Sequence, residues 1–592
     1  MKFRNDIQIL RGIAVSLVVL FHLEIVGFSS GFLGVDVFFV VSGFLMAILY
    51  NSEQKKDFFI KRAKRLLPSY FTVVFVTLLA SVFLVLPSEQ TQVVNQSIYS
   101  LFFANNIGFW QQESYFSKSN FNPLLHLWSL GVEIQFYLII PLLVWFFRKS
   151  IWFLIAALLC SLVMCFLITG ISPKTSFFMM PLRLWEFLIG YIAALYFTNN
   201  GAPIYKNNLV SILSFACIIL IPLLIRVDGN SLSWYIGHPG FFALIVCLAT
   251  AAILALGLPS RLQENFISRG LVVLGKYSYS IYLVHFPIIV IYLYQPFSGT
   301  ILHPGNGIDK IILFVLIGIF SFLLYNLIET KTKKSSLICF SSILFIIFLT
   351  PVLKVTNNLF YSSQELNIFN GLQDRDAYRC GKIFRIIHPK DIVCKINNDN
   401  YNRNIVLLGN SHADSIKKSF AKVASNHGYN TYFFVTNTPM MGQDTPPKIV
   451  INELKRLKSS VVVVHYKSGS LDLVKFNALV SLANENNIKV ILIKPVPIYK
   501  DSVPKMMYND NVSYYTLDKY NKDNIVLNNF VNTLEKENSK FTSYNIAPVF
   551  CSNKCSVGTK NKVPYYFDDD HLNLTGAKLL EPIFEKMFND IK

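Results

Sequence analysis

Two groups of side chains in this sequence have the types and spacing to do chemistry. In RGIAVSLVVLFH, Arg11 and His22 stand eleven residues apart, which is about three turns of helix and places both on one face roughly 16 Å from each other. The run around them is apolar. If it crosses a bilayer, that face carries a cation near one surface and an imidazole about halfway through. Ionisable groups are costly at such depth, and they mark functional sites or hydrogen bonds between helices. The second group lies far along the chain. The β-branched run NIVLLG leads into NSHADS, placing Ser411 at a turn from strand to helix, and DDDHLNLTG sets Asp568 three residues before His571. A hydroxyl, an imidazole and a carboxylate are the parts of a nucleophile activated by an oriented base. Asp569 and Asp570 read as surface acids.

The elements that must position the first group are membrane spans. Of the 592 residues, 53% are hydrophobic and 15% charged, with 51 Phe, a balance foreign to an ordinary soluble domain. Segments long enough to cross about 30 Å of hydrocarbon fall at residues 9–28, 31–50, 67–87, 126–147, 151–170, 182–197, 208–225, 240–257, 271–293, 309–328 and 335–354, eleven in all. The formal charge of +19 does not point to nucleic acid, because much of the basic charge gathers in short loops between these segments. With the N-terminus cytoplasmic, the inner loops hold fourteen cations: Lys55, Lys56, Lys61, Arg62, Lys64, Arg65, Arg148, Lys149, Lys206, Arg261, Arg269, Lys331, Lys333 and Lys334. The outer loops hold three, Lys118, Lys174 and Arg226. That bias sets the orientation, and an odd number of spans puts everything after about residue 355 outside the cytoplasm. The N-terminal stretch lacks a small-residue cleavage site and reads as a retained first helix.

Beyond residue 355 the long apolar runs stop, and Asn, Lys, Asp and Ser rise. Short β-branched runs at 404–409, 460–464 and 488–493 alternate with helical patterns at 412–427 and 471–486, the signature of an α/β domain with a parallel sheet. The expected organisation is a multi-span α-helical membrane domain of about ten helices over 1–331, an eleventh span at 332–356, a linker or extension at 357–403, and the α/β domain at 404–592. Cys160, Cys165, Cys217, Cys247 and Cys339 sit in apolar spans, where Cys acts as a small hydrophobe. The spacing of the other four suggests pairing of Cys380 with Cys394 and Cys551 with Cys555, which requires an oxidising compartment such as a periplasm. There is no P-loop and no Cys/His metal spacing, and no metal is expected.

Residues 404–592 resemble an SGNH-type esterase/acyltransferase domain. Ser411 matches the nucleophile of its GDSH block, and Asp568 and His571 match its terminal DxxH block, while Asn410 stands where the family usually has Asp. Gly442, 31 residues after Ser411, sits where the second oxyanion donor falls, and the third-block Asn has no clear counterpart near VVVVHYKSG. Residues 1–331 are similar to the acyltransferase family 3 membrane domain. The match runs through Arg11 and His22, GVDVFFVVSGFLM (34–46), FFIKRAKRLLPSY (58–70), LHLWSLGVEIQFY (125–137) and LGKYSYSIYLVHFPI (274–288). The resemblance implies an acyl-CoA donor whose phosphates are held by Arg62 and Arg65, three apart and so on one helical face, with Arg11 reaching it from the same side. His22 lies deeper, as the base or acyl relay near the thioester. Glu133 is a second intramembrane charge, paired with His22 or with a cation. Lys61 and Lys64 read as ordinary inner-loop cations, His126 and Trp128 lie near the outer interface, and Asp36, Ser42 and His285 read as partners between helices.

The resemblance implies a membrane-bound O-acetyltransferase of the bacterial inner membrane, with its serine domain periplasmic. Acetyl would pass from cytoplasmic acetyl-CoA, through an acyl-Ser411, to a hydroxyl of a cell-surface polysaccharide or lipid-linked glycan. Lipopolysaccharide or O-antigen is the expected acceptor and peptidoglycan the alternative. A glycan acetyl-esterase, and a transporter whose outer domain only binds glycan, are the rival readings.

Overall fold

A computed structural model describes every residue except 1–3, 113–119, 201–207, 332–334, 377–378, 382–383, 385–386, 389–390, 398–399, 435, 437–438, 441–444, 513–514 and 592. The chain divides into two compact units, Met1–Lys354 and Val355–Lys592.

The apolar runs form helices because, in hydrocarbon, each backbone polar group must find its partner within its own segment. In order these are α1 (Asn5–His22), α2 (Gly34–Leu49), α3 (Lys55–Leu84), α4 (Leu127–Lys149), α5 (Ile151–Thr169), α6 (Met180–Asn200), α7 (Asn208–Leu224), α8 (Phe241–Leu256), α9 (Phe266–Tyr292), α10 (Gly307–Leu324) and α11 (Ser335–Phe360). Among the described residues nine helices are long and apolar enough to cross a membrane, and α7 and α8 are shorter apolar helices. The first departs from its expected bounds of 9–28. It begins at Asn5 and ends at His22, because the chain turns at once through Glu24 and Gly27, both at positive φ. His22 therefore stands at the end of its helix rather than midway along it.

Two close backbone approaches set the packing. A Cβ added at Gly12 of α1 would lie 2.2 Å from the Leu271 carbonyl oxygen of α9, and one at Gly275 would lie 2.0 Å from that of Gln8. A matching pair, Gly43 and Gly190, lets α2 and α6 touch in the same way. Small residues at such crossings are how helices associate without a hydrophobic drive between them. A buried ionic group ties the same two helices: Arg183 of α6 reaches Asp36 of α2 at 2.9 Å and Glu186 at 3.1 Å, while His238 reaches Asp36 at 3.1 Å. Asp36 is thus a bridge between elements.

The second unit is built on a six-stranded sheet in the order β1-β3-β2-β4-β5-β6. Its strands are β1 (Val393–Lys395), β2 (Arg403–Gly409), β3 (Tyr429–Phe434), β4 (Val461–His465), β5 (Lys489–Ile493) and β6 (Phe541–Tyr544). The sheet is mixed rather than wholly parallel, because β1 runs antiparallel to β3. That edge strand comes from the stretch read as an extension, and Cys394 within it is disulfide-bonded to Cys380. Cys551 is joined to Cys555. The inner strands β4 and β5 are almost wholly buried, as continuous β-branched runs of a covered sheet should be. β2 lies between β3 and β4, so the chain winds away to both sides of it. The carboxyl end of such a strand is where α/β sheets place their sites. A Cβ at Gly409, the last residue of β2, would lie 1.9 Å from the His465 carbonyl oxygen, so only glycine lets β2 and β4 close up beneath the site.

Candidate active site

Helix α12 (Ser411–Asn426) starts immediately beyond β2, with Ser411 as its first residue. Asn410 caps it, its side-chain oxygen accepting the His412 N–H at 3.1 Å. The Asn thus makes the cap that an Asp would make. Ser411 Oγ stands 2.7 Å from His571 Nε2, at a helix N-terminus whose unpaired N–H groups favour negative charge. Asp568 has two tasks. Its Oδ1 accepts the backbone N–H of Asp570 at 3.1 Å and of His571 at 2.7 Å, while its Oδ2 lies 2.8 Å from His571 Nδ1. The three-residue spacing is therefore a tight turn that folds the imidazole back onto its own carboxylate. Tyr499 and Val503 hold this turn from one side by donating to the Asp569 and Asp568 carbonyls, each at 2.9 Å. Asp374, from the stretch read as a linker, holds the chain just after it by accepting from the Thr575 N–H at 3.0 Å and hydroxyl at 2.6 Å. The structure so brings Ser411, His571 and Asp568 together. Gly442 lies outside the described residues.

Asp570 is not the surface acid that its position in DDDH suggests. The turn made by Asp568 swings it inward, to 3% exposure. One of its oxygens stands 2.7 Å from His571 Nδ1, the other 3.6 Å from His412 Nε2, and Lys467 pairs with it as well. Burial would raise the Asp570 carboxyl, but its interactions with His412 and His571 outweigh burial and hold it well below the usual carboxylate range. For His571, burial disfavours the imidazolium, yet hydrogen bonds to Asp568 and Asp570 overcome it and push the ring up to about 10. Burial holds His412 down, and it pushes His465, 6.2 Å away ring to ring, down to about 3. His412, Asp570 and His571 bring ligand atoms within 4.8 Å of one another, a set able to hold a cation. The Lys467 ammonium already supplies countercharge to that carboxylate.

In the membrane unit Glu133 accepts hydrogen bonds from Ser42 at 2.5 Å and from Tyr137, and it interacts electrostatically with Arg11 and Arg62. Its partners are thus the cation alternative together with two hydroxyls. Arg62, half-buried, and Arg65, exposed, line a cavity of about 280 Å³ with Asn51, Gln54, Asp57 and Lys61. At the far end of α1, His22 Nδ1 lies 3.1 Å from His285 Nε2, and the His126 ring is 5.6 Å from that of His285. His126 and Trp128 are 1% and 2% exposed, so both face protein. Trp128 packs on Phe177 and beneath the Arg183 guanidinium. The His126 contact joins residues far apart in sequence, and no local spacing announces it.

Residues 4–324 match the acyltransferase domain of acyltransferase family 3, and residues 379–586 match the SGNH domain found fused to such domains. The chain is 32% identical over 384 residues to O-acetyltransferase OatA of Staphylococcus aureus strain NCTC 8325, covering 59% of this chain and 62% of that one. It is 33% identical over 354 residues to OatA of strain MRSA252, covering 56% and 57%. The chain thus spans 62% or less of the length of these curated relatives. A solved structure of the lipopolysaccharide acetyltransferase periplasmic domain from Salmonella ser. Paratyphi A aligns with a TM-score of 0.29 at 17% identity, over 39% of this chain and 97% of that one. With more than half of its sequence matched by the acyltransferase domain and an SGNH domain following, the chain belongs to acyltransferase family 3, in the form fused to an SGNH domain.

Proposed function

We propose that the protein is a membrane-bound O-acetyltransferase that takes acetyl from cytoplasmic acetyl-CoA and places it on a hydroxyl of an extracytoplasmic glycan. The observation that carries this reading is the contact between Ser411 Oγ and His571 Nε2, with Asp568 on the other ring nitrogen. Relatives named as O-acetyltransferases support the acyl group, and two disulfides in the serine unit support an oxidising compartment for it.

In this reading Arg62 and Arg65 hold the donor's phosphates at their cavity, as guanidinium forks suit phosphate, and Arg11 assists them. His22 acts farther along α1, as the base or the acyl carrier. At the outer site Ser411 Oγ attacks the acetyl carbonyl while its proton passes to His571 Nε2. The oxyanion forms against the Ser411 amide; as it collapses, the bond between the acetyl carbon and the group that delivered it breaks, and that group leaves with the His571 proton. A sugar hydroxyl then attacks the acetyl-serine, giving its proton to His571, and the ester leaves as Ser411 is restored. Lipopolysaccharide or O-antigen is the acceptor we favour.

Mass spectrometry of envelope glycans tests this in three strains: one with the gene, one without it, and the deletion complemented by Ser411→Ala. The expected result is loss of acetyl esters on deletion and no recovery with the variant. A gain of acetyl on deletion would make the protein an esterase. Full recovery with Ser411→Ala would make the outer unit a binding module, and loss confined to peptidoglycan would correct the acceptor.

A further inference from the structure

A turn of α9 that contains a proline fixes where the protons sit on a buried group of histidines. Pro287 has no N–H, so the carbonyl four residues earlier, that of Leu283, loses its helical donor. His126 Nε2 takes this carbonyl at 3.0 Å. One residue before it, the Tyr282 carbonyl lies 2.7 Å from His285 Nδ1, with the Ile281 carbonyl at 3.2 Å. A carbonyl oxygen only accepts, so His126 Nε2 and His285 Nδ1 are both N–H donors.

The assignment propagates. His285 is completely buried, and among the described residues no carboxylate contacts it, so it is neutral and carries one proton. That proton is on Nδ1, which leaves Nε2 an acceptor. The atom 3.1 Å from it is His22 Nδ1, which must then be the donor. In a neutral His22 the lone pair is then on Nε2. The glycine contacts that seat α1 directly on α9 keep this distance short, since a Cβ at Gly12 or Gly275 would force the two helices apart.

We propose that His285 is a positioning residue that locks His22 in its Nδ1–H tautomer, making Nε2 the reactive nitrogen, with the α9 carbonyls as the fixed reference. The proposal rests on the reading of His22 as base or acyl carrier, and it adds which atom acts and what holds it. A metal-bound or carboxylate-oriented His is set in the same way, by the bond its other nitrogen makes.

The test uses the full chain in membrane vesicles, with acetyl-CoA as donor and CoA release as the signal. His285→Leu offers His22 no acceptor and is expected to lower kcat at least tenfold with little change in KM for acetyl-CoA. His285→Gln places an amide oxygen near the former Nε2 and is expected to restore most of that loss. Nitrogen NMR of the histidine-labelled chain, with His22 assigned through His22→Ala, is expected to show Nε2 as its unprotonated nitrogen. Finding Nδ1 unprotonated would overturn the proposal whatever the variants do. So would wild-type kcat in His285→Leu, or a Gln variant no better than Leu, while His22→Ala is inactive. Full activity in His22→Ala would instead defeat the underlying reading of His22.

Discussion

Replacing Asp570 by Asn removes one of the two carboxylates on His571 Nδ1 and asks whether charge, as well as geometry, sets the working range of the base. Asp570 and Asp568 stand 2.7 and 2.8 Å from that nitrogen and lift the ring to about 10. Opposite unit charges about 4 Å apart attract by about 4 kcal/mol at an effective dielectric of about 20. That corresponds to about 3 pH units at 1.36 kcal/mol per unit. Lys467 stays in the variant and offsets none of this, but the 20% exposure of the His571 side chain lets solvent screen the attraction, so the expected fall is about 1–2 units. His571 must be unprotonated to take the Ser411 proton, so activity climbs as pH rises through its value, and the variant's acid limb should move down by that amount. The assay is kcat/KM for hydrolysis of a small aryl acetate by the full-length protein, measured from neutral to alkaline pH. The same linkage acts on stability. Because folding raises His571 from 6.5 to about 10, its contribution is complete below 6.5 and disappears as pH rises through about 10. Asp570, depressed on folding, contributes above the ordinary carboxylate range and loses that contribution as pH falls. Unchanged pH–rate and pH–melting profiles in Asp570→Asn would refute this reasoning.

Three further outcomes follow from separate parts of the molecule. Arg62→Ala is expected to raise KM for acetyl-CoA about tenfold or more, since a hydrogen bond to a charged group contributes about 1.5–3 kcal/mol; Lys64→Ala, at an exposed cation of α3 outside that cavity's lining, should change it little. Gly275→Val would drive its side chain into the Gln8 backbone, which a single Cβ already meets at 2.0 Å. A cost of at least about 1–3 kcal/mol and loss of transfer should appear together in thermal melting and CoA release. Cys394→Ser frees the segment between residues 380 and 394, and for a loop of this size about 3 kcal/mol of stability should be lost, read from denaturant unfolding of the full chain.

Most of the helical architecture was legible because an apolar run long enough to span needs no tertiary information. His22 was misplaced along α1 because the helix start at Asn5, and the turn beginning at Glu24, are set by local backbone geometry that hydrophobicity does not report. The strands β2, β4 and β5 announced themselves as β-branched runs. In contrast, β3 (YNTYFF) and β6 (FTSY) mix Asn, Thr and Ser into their pattern, and β1 is a three-residue edge. Ser411, Asp568 and His571 were readable from their motifs. Asp570 was not, because three successive acids look alike until the Asp568 turn decides which one points inward. The pairing of His285 with His22 had to await the structure, though the Pro two residues after His285 was a usable signal: it frees a carbonyl in the preceding turn.

The most direct test of the whole account follows the acetyl group itself. Vesicles holding the full-length protein are given isotopically labelled acetyl-CoA on the cytoplasmic face without glycan acceptor, and the Ser411 peptide is then analysed by mass spectrometry. Labelled acetyl is expected on Ser411 in the wild type, and none in His22→Ala. Labelled glycan formed on adding acceptor while Ser411 never carries the label, or a labelled Ser411 in His22→Ala, would contradict it.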